Sequence, residues 1–239
     1  HYIVQDWMGA ITEISDKYDY TYIRRAKDFV TRKWHKFPVG NHRDWELMKE
    51  RYKVNTPGRF PDDFDKRCQA LRLRDYPFGL NINGPFWQLR EWLGFENLCI
   101  LMVEDPDFIM EMINFWSDFV LKTLEPILKR VKLDYVLFSE DMAYKNHSMI
   151  SPKMVRKFLL PVYERWVRVL KRSDCPLVGI DSDGYIGELI PLWIEVGINY
   201  CLPMEVAAGN DIVKYRKIYK DKMAYIGAVS YTHLTLPTN

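Results

Sequence analysis

The sequence is poor in the features that mark secreted, membrane-spanning and nucleotide-binding proteins. Its four cysteines, Cys68, Cys99, Cys175 and Cys201, are scattered without paired spacing. That excludes a disulfide framework and fits a reducing, cytoplasmic compartment. Cys201, in an apolar run, reads as a buried reduced thiol. No stretch reaches the roughly 18 consecutive apolar residues of a membrane span. The opening residues His1-Tyr2-Ile3-Val4-Gln5-Asp6 lack the charged start and apolar centre of a signal peptide. They also lack an initiator Met, and the expectation is a chain that begins inside a longer protein. Neither sign of charge dominates: 34 basic residues face 32 acidic ones, for a net charge of +2. That balance speaks against a nucleic-acid partner, and the pairs Arg24-Arg25 and Lys171-Arg172 read as solvated surface. There is no phosphate-cradling glycine loop, no dinucleotide fingerprint and no glycine-flanked nucleophilic serine.

What is present is apolar and aromatic. Hydrophobic residues make up 48% of the chain and aromatics 15%, with eight Trp, enough for a sizeable core. Most aromatics belong to that core, while Trp87 and Trp92, near a predicted strand end, are candidates for lining a pocket.

The most informative pattern is a set of apolar runs that stop on carboxylates. These are Val136-Leu137-Phe138-Ser139-Glu140-Asp141, Leu177-Val178-Gly179-Ile180-Asp181-Ser182-Asp183 and Tyr200-Cys201-Leu202-Pro203-Met204-Glu205. Each precedes a segment of helical periodicity, as a buried parallel strand does. With Phe78–Asn83 and Met223–Ile226 they make five predicted strands. Predicted helices cover 44–52, 61–73, 86–93, 105–131, 152–171, 185–196 and 211–219, the third-last capped by Ser151-Pro152 and the longest opened by Asp105-Pro106. Residues 2–15, with Met8-Gly9-Ala10 at the centre, read as a β-hairpin, and residues 20–35 have no clear pattern. Strands that alternate with helices predict a parallel α/β fold. Five strands are too few for a TIM (β/α)8 barrel, so the pattern fits an open sheet or a piece of a barrel.

In either architecture ligands bind beyond the C-terminal strand ends. Asp181 and Asp183, at i and i+2 on an extended end, face the same way. Held together they share a proton, raise one pKa or recruit a cation. Asp183 is equally placed to cap the helix after Gly184. Glu140 and Asp141 follow their strand directly and point into the mouth or brace the loop. Glu205 precedes the small-residue loop Val206-Ala207-Ala208-Gly209, where a ligand can approach the backbone. Asn83 and Arg90 offer a neutral donor and a cation, and His147 lies in the loop after Asp141.

Four segments together resemble the uroporphyrinogen decarboxylase superfamily, which also holds cobalamin-dependent methyltransferases. They are Ser139-Glu140-Asp141-Met142-Ala143-Tyr144-Lys145; Ile150-Ser151-Pro152 with Phe158-Leu159-Leu160-Pro161; Asp181-Ser182-Asp183-Gly184 with Leu189-Ile190-Pro191; and Pro203-Met204-Glu205-Val206-Ala207-Ala208-Gly209. The resemblance covers about residues 76–229. It implies a TIM barrel, incomplete in this chain, with 1–75 as hairpin and helical lead-in and 230–239 as a foreign tail.

The resemblance implies a lyase of porphyrin biosynthesis that decarboxylates a tetrapyrrole without metal or organic cofactor. Residue reading and resemblance together give Asp181, Asp183, Glu140 and Asp141 as the expected catalytic residues and Asn83, Trp87, Arg90, Tyr144, Lys145, His147 and Glu205 as the expected substrate-binding ones, with no family role carried over to His147. The alternative is a methyltransferase or demethylase component acting with a corrinoid protein, with room for zinc. Its relatives ligate zinc through His-x-Cys, where this chain carries Asp181-Ser182-Asp183, a harder and weaker zinc site. A homodimer fits either reading, and a third reading is an inactive truncated fragment. The arginine-rich segment with which true decarboxylases grip substrate carboxylates is absent.

Overall fold

The computed structural model describes residues 1–6, 8–14 and 32–228. The Arg24-Arg25 pair and the predicted foreign tail lie outside these residues. Two compact units emerge, 1–53 with 89–106, and 54–88 with 107–239.

The first unit is built on a three-stranded antiparallel sheet of β1 (Tyr2–Gln5), β2 (Ile11–Ile14) and β3 (Arg32–Lys36), in that order. The predicted hairpin is there, and Asp6 explains its turn. One carboxylate oxygen accepts from the backbone N–H groups of Met8, Gly9 and Ala10, each at 2.9 Å. The third strand was not anticipated: Arg32-Lys33-Trp34-His35-Lys36 carries no alternation, being exposed along most of its length. Helix α1 (His42–Lys49) is capped by the Asn41 side chain and runs into a 3-10 turn, Glu50–Tyr52. Trp45 packs on Trp92 with centroids 5.1 Å apart, and Trp92 Nε1 donates to Tyr52 Oη at 3.1 Å. Trp92 is fully buried here, so it is a core residue. Helix α4 (Phe95–Glu104), also unanticipated, closes the unit.

The second unit carries α2 (Phe64–Arg72) and a five-stranded parallel sheet: β4 (Gly79–Asn83), β5 (Tyr135–Ser139), β6 (Leu177–Asp181), β7 (Tyr200–Met204) and β8 (Ala224–Gly227), ordered as in the sequence. Every predicted strand is present within two residues. The sheet is open among the described residues, with no closed barrel. Between the strands run α3 (Pro85–Leu93), which belongs to this unit only up to Gln88, then α5 (Pro106–Leu128), α6 (Pro152–Phe158), α7 (Leu160–Arg172), α8 (Ile190–Glu195) and α9 (Ile212–Tyr219). Ser151 and Asp211 cap α6 and α9 through their side chains.

The predicted helix 152–171 is two helices. Pro161 has no N–H to return to the Lys157 carbonyl, and the chain breaks at Leu159. Helix α8 begins only at Ile190, five residues later than predicted, for the same reason at Pro191. Asp183 therefore caps no helix. Asp134, just before β5, holds Arg74 at 2.6 Å and the Phe78 N–H at 2.8 Å. That arrangement joins the starts of β4 and β5.

Candidate functional site

The register of the sheet decides which side chains meet. Asn83, Ser139 and Asp181 are direct cross-strand partners on β4, β5 and β6, so all three project from one face at the C-terminal edge. Their predecessors Ile82, Phe138 and Ile180 share the opposite face, and the latter two are fully buried. A polar row thus crosses the strand ends, about two strand spacings or ~10 Å from Asn83 to Asp181.

Acids gather at the Asp181 end of this row. The backbone N–H groups of Glu140 and Asp141 both donate to the Asp181 carbonyl, at 2.9 and 3.1 Å, and Asp141 takes a left-handed φ of 43° to do so. The Asp181 carboxyl is half-buried and meets no donor or cation among the described residues. Burial first, then the Asp183 and Asp141 carboxylates, push its pKa up to about 6. Asp183 is raised as well, by partial desolvation and then by Asp141 and Glu205. Glu205 accepts from the Gly184 N–H at 2.8 Å. Asp141, Asp181, Asp183 and Glu205 therefore form one electrostatically coupled group.

Glu140 is placed differently. It is fully buried, accepts from the Trp87 N–H at 2.8 Å and from the Tyr163 hydroxyl, and so sits at the N-terminus of α3, where an anion is favoured. Gly84 makes room for it: a Cβ there would lie 2.0 Å from the Glu140 carboxyl carbon. Burial and the Glu140 charge hold the Tyr163 phenol well above its ordinary pKa.

A buried polar frame holds the loops. Ser182 Oγ accepts from the Met142 N–H at 2.9 Å. Asn210 Nδ2 donates to the Gly184 and Glu205 carbonyls at 2.8 and 3.1 Å, and Asn210 Oδ1 accepts from the Ile186 N–H at 3.2 Å. Neither was singled out from sequence, although a buried Ser between two Asp and an Asn just before a helix cap were the available signals. The loop after Asp141 folds back on itself through an Ala143–Ser148 bridge. Glu188 anchors it, accepting from Ser148 N–H and Oγ at 2.8 and 2.7 Å. Tyr144, Lys145 and His147 occupy its exposed tip, with the His147 charge helping to hold Glu188 below its ordinary pKa after the two Ser148 bonds. Gly184, at φ 82°, fits beneath this loop. A Cβ there would come within 2.5 Å of the Tyr144 carbonyl oxygen, which accepts from the Tyr185 N–H at 2.8 Å.

No protein-family model matches the chain, and no curated protein matches it. A solved structure does: a methyltransferase from Methanosarcina mazei, with a TM-score of 0.60 and 13% identity over 97% of this chain and 63% of that one. The chain shares its fold with a methyltransferase. At that identity the likeness concerns the fold alone, and the chain spans less than two thirds of that methyltransferase's length.

Of the other sequence-predicted site residues, Trp87 is half-buried on the first turn of α3 and gives its backbone N–H to Glu140. Asn83 donates through Nδ2 to Gln88 Oε1 at 3.1 Å, and its carbonyl accepts from Trp116 Nε1 at 2.9 Å. Arg90, on the last turn of α3, belongs to the first unit. Gln88 was missed, though an amide amid Phe86, Trp87 and Leu89 is a conspicuous break in an apolar helix. Among the described residues no three His, Cys, Asp or Glu side chains converge as metal ligands. The described donors, carboxylates without thiol or imidazole beside them, do not fit a resident zinc ion.

Proposed function

We propose that the second unit carries the substrate face of a methyl-transferring enzyme on a (β/α)8-type framework, working with a corrinoid-bearing partner. Support comes first from the shared fold with the Methanosarcina mazei methyltransferase. The observation that carries the choice is electrostatic. Asp141, Asp181, Asp183 and Glu205 cluster at the strand ends, and among the described residues no cation meets the Asp181 or Asp183 carboxyl. Such a face repels a polycarboxylate tetrapyrrole and favours a neutral or cationic substrate. The decarboxylase expectation draws no comparable support.

In this reading Asp181 manages a proton. When the bond between a methyl group and a heteroatom breaks, the electron pair stays on the heteroatom. That atom takes the proton held by the Asp181 carboxyl, while the methyl group passes to a nucleophile supplied by the partner. A carboxyl raised to about 6 is populated in both forms near neutrality, as this role requires. Glu140 is a positioning residue that fixes the start of α3 against β5. The corrinoid would supply the methyl-carrying nucleophile, and no zinc-dependent step is invoked.

The test is anoxic incubation with cob(I)alamin and a panel of methylated amines, ethers and thioethers. Methylcob(III)alamin absorbance should grow above the protein-free rate with at least one donor. Decarboxylation of uroporphyrinogen with no methyl transfer from any donor would reverse the assignment.

A further inference from the structure

Gln88 is 2% exposed, and the two ends of its side-chain amide differ. Oε1 accepts from Asn83 Nδ2 at 3.1 Å. Nε2 meets no acceptor among the described residues. A buried donor left unpaired costs free energy, and folds rarely tolerate one without a use for it. Its neighbours Phe86 and Leu89 are apolar and fully buried, so packing alone does not call for an amide at this position. The amide abuts Asn83, which shares its sheet face and register row with Asp181.

We propose that Asn83 and Gln88 form a recognition subsite in which Gln88 Nε2 donates to an uncharged oxygen of a small-molecule substrate, a carbonyl, ether or hydroxyl. This rests on reading the polar row as the substrate face. The class follows from two facts. Nε2 is a donor only and calls for an acceptor. The acids on the same face disfavour a carboxylate or phosphate as that acceptor. The subsite orients the substrate by one end, and Asp181 lies two strands away at the other.

The experiment is a titration of the ¹⁵N-labelled chain with N-methylacetamide and, separately, acetate. The Gln88 side-chain amide signals are identified by their loss in Gln88→Met and Gln88→Leu. A saturable shift with N-methylacetamide, weaker with acetate, is expected. In Gln88→Met the same titration, followed on the backbone amides of Asn83 and Ser139, should weaken about fivefold or more, roughly the value of one hydrogen bond. The unfolding midpoint of the unliganded protein should hold or rise, because an orphan donor has been removed. Absence of a saturable shift in the parent protein overturns the proposal, and so does a stronger response to acetate. A fall of more than about 5 °C in both variants also overturns it, because Nε2 would then be structural. The readout is binding rather than turnover, so failure of methyl transfer and failure of this subsite are told apart.

Discussion

Under the proposed function Asp181 carries the proton, and its raised pKa has consequences that can be signed. Its folded value is about 6 against an ordinary 3.8, so between those values the folded state holds more protons than the unfolded one. The contribution to stability is complete below about pH 4 and lost as pH rises through 6. Asp181→Asn should therefore be more stable than the parent at pH 7.5, by about 1–2 kcal/mol after allowing for solvent contact, and equal to it near pH 4. Urea unfolding at the two pH values measures this. If Asp181 is the proton carrier proposed above, the same substitution should lower methyl transfer about 100-fold or more and remove its inflection near pH 6. Asp183 shows how far sequence went here. Its side-by-side placement with Asp181 was legible from spacing, but the choice between capping and site depended on where α8 starts, which Pro191 sets.

At the level of elements, Glu140 joins the end of β5 to the start of α3 and to Tyr163 of α7. Glu140→Ala leaves a helix N-terminus and a buried hydroxyl unpaired, and should cost about 2–4 kcal/mol in thermal or urea unfolding. Gly84→Ala should cost a similar amount, because its Cβ would overlap the Glu140 carboxyl. In the Glu140→Ala background most of the Gly84→Ala penalty should disappear, a coupling that a double-mutant cycle measures directly. The parallel strands and the Ser151 cap were legible because continuous apolar runs and short polar caps are local signals. Strand β3 was not, because its side chains are mostly exposed and charged and its pairing with β2 is its only reason to be extended. Helix α4 was overlooked because Phe95–Glu104 follows α3 with only Gly94 between them, at φ 78°. Glu140 read as an acid of the mouth, since nothing local announces that Tyr163 and the Trp87 N–H wait for it.

For the molecule as a whole, the open sheet matters most. Among the described residues β4 and β8 are each paired on one side only. The β4 edge is flanked by a cavity of about 330 Å³ lined by apolar groups including Leu80, Ile82, Trp116 and Phe119. Unpaired apolar edges template association. Light scattering should show concentration-dependent growth in mass, and Asn81→Lys, an exposed position on β4, should suppress it. The contact between Gly184 and the Tyr144 carbonyl has a different consequence. Two lips of the site, one from β5 and one from β6, are joined backbone to backbone with no space for even a methyl group, and Glu188 clamps the far end of the first. A rim joined in this way is already ordered before anything binds. For a substrate bound there as proposed, little conformational entropy would be lost on capture, and association would be set by encounter and charge rather than by waiting for a gate to swing.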